Sequence, residues 1–172
     1  MDLQELLNDK GIKSKVKTET INNWLLSEEL SVDELIDFAR SSKDPIKATC
    51  IESIQIATKS NPEIATLNCL DFISKTLTEK APRVKWESAE VIGNIALFYA
   101  EQLEEAIKNL LVNSEHEGTV VRWSAAFALG QILKINTQRN KDLIPVIESI
   151  CQREEKNSIK NIYLDALKKV KS

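Results

Sequence analysis

The sequence predicts an all-α solenoid of about four stacked helical hairpins with a period of 37–38 residues, and three observations carry that expectation. Gly and Pro number only 4 each in 172 residues, so turns are few. No β-branched run alternates apolar with polar residues as a strand does. Four segments align without gaps: IKATCIESIQIA at 46–57, VKWESAEVIGNI at 84–95, VRWSAAFALGQI at 121–132 and IKNIYLDALKKV at 159–170. Their starts lie 38, 37 and 38 residues apart, a self-similarity that marks repeat architectures.

Each segment places apolar or small residues at its positions 1, 5, 6, 9 and 12, which share one face of an α-helix. A second candidate helix precedes each one, at 31–41, 62–79, 101–113 and 140–154. Ser31 with Glu34 three residues on is a helix-start signature, Asn61-Pro62 suits a cap and first turn, and Asp44-Pro45 precedes the second helix of the first unit. A lone hairpin cannot bury its apolar stripe, whereas stacked hairpins share a continuous core. Gly93 and Gly130 fall in one column, and a mid-helix Gly costs roughly 1 kcal/mol relative to Ala, so both are expected at crowded contacts. Residues 1–30 form an N-terminal helical cap or degenerate half repeat, with VKTETINNWLL at 16–26 as its helix, and residues 31–172 form the array, all within one domain. The lysines at 10, 13, 15 and 17 are read as a solvated linker.

Composition bounds the function. With 42% apolar and 28% charged residues the chain can bury a core without disulfides or metal. The start, MDLQELLNDKG, is acidic and amphipathic rather than basic then apolar, and no apolar run approaches a membrane span, so a soluble, cytoplasmic protein is expected. Cys50, Cys69 and Cys151 stand alone in apolar stretches and read as buried reduced thiols. A formal net charge of -3 disfavours nucleic acid as a partner.

The columns resemble the HEAT-repeat family. The carriers are Val121-Arg122…Ala125-Ala126…Leu129-Gly130…Ile132 and Val84-Lys85…Ser88-Ala89…Ile92-Gly93…Ile95, with Asp44-Pro45-Ile46-Lys47 similar to the turn that opens the family's second helix. The likeness covers residues 31–171 and is strongest in the two middle units. It implies a right-handed α-α superhelix whose second helices line a concave surface. It also implies that the basic column Lys47, Lys85, Arg122 and Lys160 bonds to hairpin turns rather than to phosphates.

Positions 3, 7 and 11 lie opposite the core stripe and should point into that concavity: Ala48/Glu52/Ile56, Trp86/Glu90/Asn94, Trp123/Phe127/Gln131 and Asn161/Asp165/Lys169. Trp86, Trp123 and Phe127 therefore form the expected apolar anchor of a partner site, rimmed by Glu52, Glu87, Glu90 and Asp165. The alternative is that both indoles lie flat against neighbouring hairpins as part of the core edge. An acidic, aromatic groove favours another protein or a peptide, basic or amphipathic, over nucleic acid or membrane. The expected role is that of an adaptor or scaffold, monomeric and non-enzymatic, with no catalytic residue, metal or cofactor.

Two enzyme families with similar repeats make residue-level demands. Deoxyhypusine hydroxylases need His-Glu dyads at positions 3 and 4, which here read Ala48-Thr49, Trp86-Glu87, Trp123-Ser124 and Asn161-Ile162. The one histidine, His116, sits in a turn. Alkylpurine DNA glycosylases use groove tryptophans with an acidic residue and an arginine, which Trp86, Glu90, Arg122 and Trp123 loosely mimic; this is the alternative function, a DNA-binding or glycosylase-like protein. Phycobilin-lyase subunits carry such repeats too, but nothing in this chain points to a bilin.

Overall fold

The computed structural model describes the backbone of residues 1–171 and the side chains through Val170. The described residues contain α-helices and short 3₁₀ turns and no strand: α1 (Leu3–Asn8), α2 (Ser14–Leu26), α3 (Val32–Ser41), α4 (Ile46–Ser60), α5 (Leu67–Thr76), α6 (Pro82–Ile95), α7 (Glu104–Asn113), α8 (Thr119–Ile135), α9 (Asn140–Arg153) and α10 (Asn157–Lys171). Among them no helix is long and apolar enough to cross a membrane.

Successive helices pair as hairpins, and the second helices α2, α4, α6, α8 and α10 pack in that order as one layer. The first helices of the hairpins follow the same logic in part: α3 packs on α5 and α5 on α7 in a second layer. Between the layers runs one continuous core from Leu6 to Leu167. Its aliphatic residues, such as Leu35, Ile54, Ile92 and Leu129, are fully buried, and each contributes about 1.5–3 kcal/mol of transfer free energy.

The repeat columns explain the burial. On α8 the five stripe residues Val121, Ala125, Ala126, Leu129 and Ile132 are all buried. On α10 the sixth position, Leu164, is 47% exposed, whereas Ala89 and Ala126 of the same column are buried; among the described residues no later helix packs on α10 as α8 packs on α6. Caps also behave as their residue types demand. The Ser31 hydroxyl accepts from Glu34 N–H at 3.2 Å while Ser31 N–H donates to the Glu34 carboxylate at 2.9 Å.

Two boundaries differ from the sequence reading. The helix expected over 62–79 is interrupted: Asn61 caps a 3₁₀ turn at Pro62–Ile64, Ala65 is extended, and Thr66 caps α5 by accepting from Cys69 N–H at 3.1 Å. The helix expected from 101 begins at Glu104, because Gln102 N–H is taken by the Tyr99 carbonyl in a turn at 2.9 Å.

The glycine column divides as well. A β-carbon on Gly93 would fall 2.4 Å from the Phe127 ring of α8, a forced close approach. On Gly130 it would meet Ala166 at 3.5 Å and Ile162 at 3.6 Å, which is ordinary contact, so the expected crowding holds at Gly93 alone. All three cysteines are buried thiols, and burial pushes Cys50 and Cys69 up to about 12.

Candidate functional site

On α8, Trp123 and Phe127 lie one turn apart and project from the second-helix layer. Their rings stack with centroids 6.0 Å apart and planes 6° from parallel. Trp123 remains 38% exposed, while Phe127 is half-buried because its ring rests over Gly93 of α6. Trp86 of α6 is half-buried, and its indole N–H donates to the Glu87 carboxylate at 3.2 Å. One indole is thus open and one is partly drawn into the layer.

The acidic part of the site spans α4 and α6. Glu52 of α4 is ion-paired to Arg83 of α6 at 2.5 Å and accepts the Thr18 hydroxyl of α2 at 3.2 Å. Glu87 and Glu90 lie within electrostatic reach of Glu52. Burial, then repulsion from Glu52 and Glu90, pushes the Glu87 carboxyl up to about 7 against the smaller opposing pull of the Trp86 N–H and Arg83. Burial also raises Glu90, with Lys59 opposing it.

Several sequence-predicted positions take different roles. Glu87 is only 7% exposed, so it is a buried carboxyl and not a rim charge: its position on α6 turns toward α4, beside Arg83 and Glu52. Ala48 is 2% exposed, too short to reach past its neighbours to the surface. Asn94 is a strut, donating to the Gln55 carbonyl at 3.0 Å and the Thr58 hydroxyl at 3.2 Å. Asp165 is exposed on α10 and forms no ion pair with the other site residues among those described. Arg83 and Thr18 were not singled out by sequence. The signal for Arg83 was its place one turn before Glu87; Thr18 had none beyond its helix.

The basic column bonds to turns throughout the first three units. Lys47 pairs with Glu79 at 2.8 Å. Lys85 donates to the Leu77 carbonyl at 3.1 Å and the Asn113 side chain at 3.3 Å. Arg122 grips Glu154 at 3.0 and 3.3 Å and also donates to the His116 and Glu117 carbonyls. Lys17 continues the ladder into α2, donating to the Leu7 carbonyl at 2.8 Å, which corrects its reading as part of a solvated linker. His116 is a turn residue whose Nδ1 accepts from Gly118 N–H at 2.8 Å.

Paired helices, a shared core and a second-helix layer carrying the aromatic stack define a helical repeat solenoid of the armadillo-like kind. No family model matches the chain, and no curated protein matches it. Solved structures do. A designed armadillo repeat protein in complex with the peptide (KR)4 is 18% identical at a TM-score of 0.72, covering 98% of this chain and 80% of that one. Computationally designed armadillo repeat proteins for modular peptide recognition give 18% identity and a TM-score of 0.72 over 97% of this chain and 80% of that chain. The complex of CpcE and CpcF of phycocyanin lyase from Nostoc sp. PCC7120 gives 17% identity and a TM-score of 0.72, covering 95% of this chain and 96% of that chain. At such identities the likeness is one of fold.

Proposed function

We propose that this chain is a protein–protein interaction scaffold that holds a basic or amphipathic segment of a partner along the concave surface of its second helices. The observation that carries the reading is the Trp123–Phe127 stack, fixed on Gly93 at its inner edge and open at its outer one. Exposed, rigid aromatic surface beside carboxylates suits a segment with aliphatic stems and cationic heads. Glu52 and Glu90 supply carboxylates from α4 and α6 and Asp165 one from α10, and Trp86 lies one turn before Glu90 on α6. The peptide-bound designed armadillo protein of similar fold supports a segment as ligand, and the CpcE–CpcF complex supports a protein partner.

We read the units as HEAT-type, a reading supported by their two-helix build and by bases that bond to the hairpin turns. The role is non-enzymatic, monomeric and cytoplasmic. A glycosylase-like site would need Arg122 in the groove, and Arg122 is committed to Glu154 and two turn carbonyls.

The test is calorimetric titration with a peptide of alternating Lys and Arg, the class of ligand seen in the designed neighbour. Trp123→Ala should weaken binding about tenfold, or roughly 1.4 kcal/mol, without lowering the melting temperature appreciably. Equal binding by wild type and variant, or none by either, refutes the site.

A further inference from the structure

Glu87 is a carboxyl that the fold keeps out of water at the edge of the aromatic surface. Three carboxylates, those of Glu52, Glu87 and Glu90, share the α4–α6 seam with one guanidinium, and Arg83 is already bonded to Glu52 at 2.5 Å. Glu87 is 7% exposed, and among the described contacts its carboxyl accepts one hydrogen bond, at 3.2 Å from the Trp86 indole. That N–H can donate to the neutral or the charged acid. A nearby cation would favour the charged form strongly in so dry a place.

We propose that Glu87 is a proton-operated switch beneath the concave surface, neutral while the surface is empty in mild acid and ionised when a cationic side chain docks beside Trp86 and Glu90. The proton leaves to solvent and no bond other than the O–H is broken. The inference rests on the concave-surface reading above, since the docking cation belongs to the proposed partner segment.

The groups around Glu87 set the direction. From α4 come Glu52, which repels its charge, and Lys59, which acts on Glu90. From α6 itself come Arg83 and Glu90. On α2, Thr18 holds Glu52, while Lys15 and Glu19 pair with each other at 3.8 Å. On α5, Asp71 and Lys75 pair at 2.9 Å, and on α8, Arg122 is turned to Glu154. Among the described contacts no cation but Arg83 acts on Glu87, and Arg83 is bonded to Glu52, so a docking lysine or arginine would be the second cation there and the first not already paired.

By linkage, a cation that lowers the affinity of Glu87 for its proton must itself bind more tightly once that proton is gone. Burial, the dominant cause, places the carboxyl at about 7, within the range where this exchange can occur. The affinity for a Lys-Arg peptide should therefore rise about tenfold from pH 5.5 to 8.

The experiment has two arms, both in a His116→Gln background that removes the chain's only histidine from the readout. The first follows the Glu87 side-chain carboxyl and the Trp86 indole N–H by NMR in the unliganded chain. The expected result is a shared midpoint near 7; a Glu87 midpoint in the ordinary carboxylate range, roughly 4 to 5, overturns the switch. The second measures peptide affinity across pH with and without Glu87→Gln. A tenfold rise that the variant loses supports the coupling, and a flat profile, or a rise the variant keeps, overturns it. If no peptide binds at any pH, the concave-surface reading fails, while the first arm still decides whether Glu87 takes up its proton near neutrality.

Discussion

The ring of Phe127 on α8 occupies the space where Gly93 of α6 lacks a β-carbon: a methyl there would lie 2.4 Å from one ring carbon and 2.8 Å from the next. Packing here outweighs helix propensity, which by itself favours Ala over Gly by about 1 kcal/mol. Gly93→Ala should therefore lower stability by about 1–2 kcal/mol, through the cost of moving the ring from its seat and from its stack on Trp123. In a Phe127→Ala background the same substitution should instead be neutral or stabilising. Urea denaturation of the four proteins of this cycle gives the coupling directly.

Gly130 occupies the same column and predicts the opposite sign. A methyl there meets Ala166 and Ile162 at 3.5 and 3.6 Å, distances that add contact without strain. Gly130→Ala should raise stability by about 0.5–1 kcal/mol, by helix propensity and reduced freedom of the unfolded chain. A loss of stability in the same denaturation experiment would show that the α8–α10 contact is tighter than its distances indicate.

Arg122 and Glu154 form the best-sheltered ion pair of the ladder, with 19% and 5% of their side chains exposed. Burial alone would push the Glu154 carboxyl up, but hydrogen bonds from Arg122 and from the Lys156 N–H outweigh it and hold it below the usual range. Arg122→Met strands that carboxylate and should cost about 3 kcal/mol. Lys47→Met, which releases the more exposed Glu79, should cost about 1 kcal/mol or less. The sign with pH follows from the depressed folded value: the stability contributed by Glu154 is present above the unfolded carboxylate range and is lost as pH falls through the lower folded value. Wild type should therefore lose stability on acidification below about pH 4.5 more steeply than Arg122→Met does.

The fold was legible because its signal is periodic. The segments at 46–57, 84–95, 121–132 and 159–170 fall inside α4, α6, α8 and α10, and α3 begins where Ser31 and Glu34 announce it. The start of α5 was hidden because Asn61 and Thr66 are both competent caps five residues apart, and both are used, Asn61 for the 3₁₀ turn and Thr66 for α5. The site was legible in kind but not in depth. Position 4 of the repeat reads Thr49, Glu87, Ser124 and Ile162, a column without a common character, so nothing in the sequence says that it turns toward the preceding helix. Lys17 was obscured by the surrounding lysines, although its place after Val16 matches the apolar-basic pair of the later units.

Burial of Glu87 also has a measurable effect on stability that needs no partner. Its folded value of about 7 stands above the ordinary carboxylate value of 4.5, so between these limits the folded chain holds a proton that the unfolded chain has already lost. Stability must then decline as pH rises from about 4.5 to about 7 and level off beyond, with the neutral acid contributing fully only below the unfolded value. The change attributable to this one group should be roughly 1–3 kcal/mol, less than the full shift implies because water and side chains relax around the charge. Glu87→Gln keeps the shape and the acceptor for the Trp86 indole without the charge, so it should exceed wild type in stability at pH 8 and match it below about pH 4.5. Urea unfolding at a series of pH values checks this, and parallel profiles for the two proteins would show that Glu87 is solvated well enough to ionise as an ordinary carboxylate.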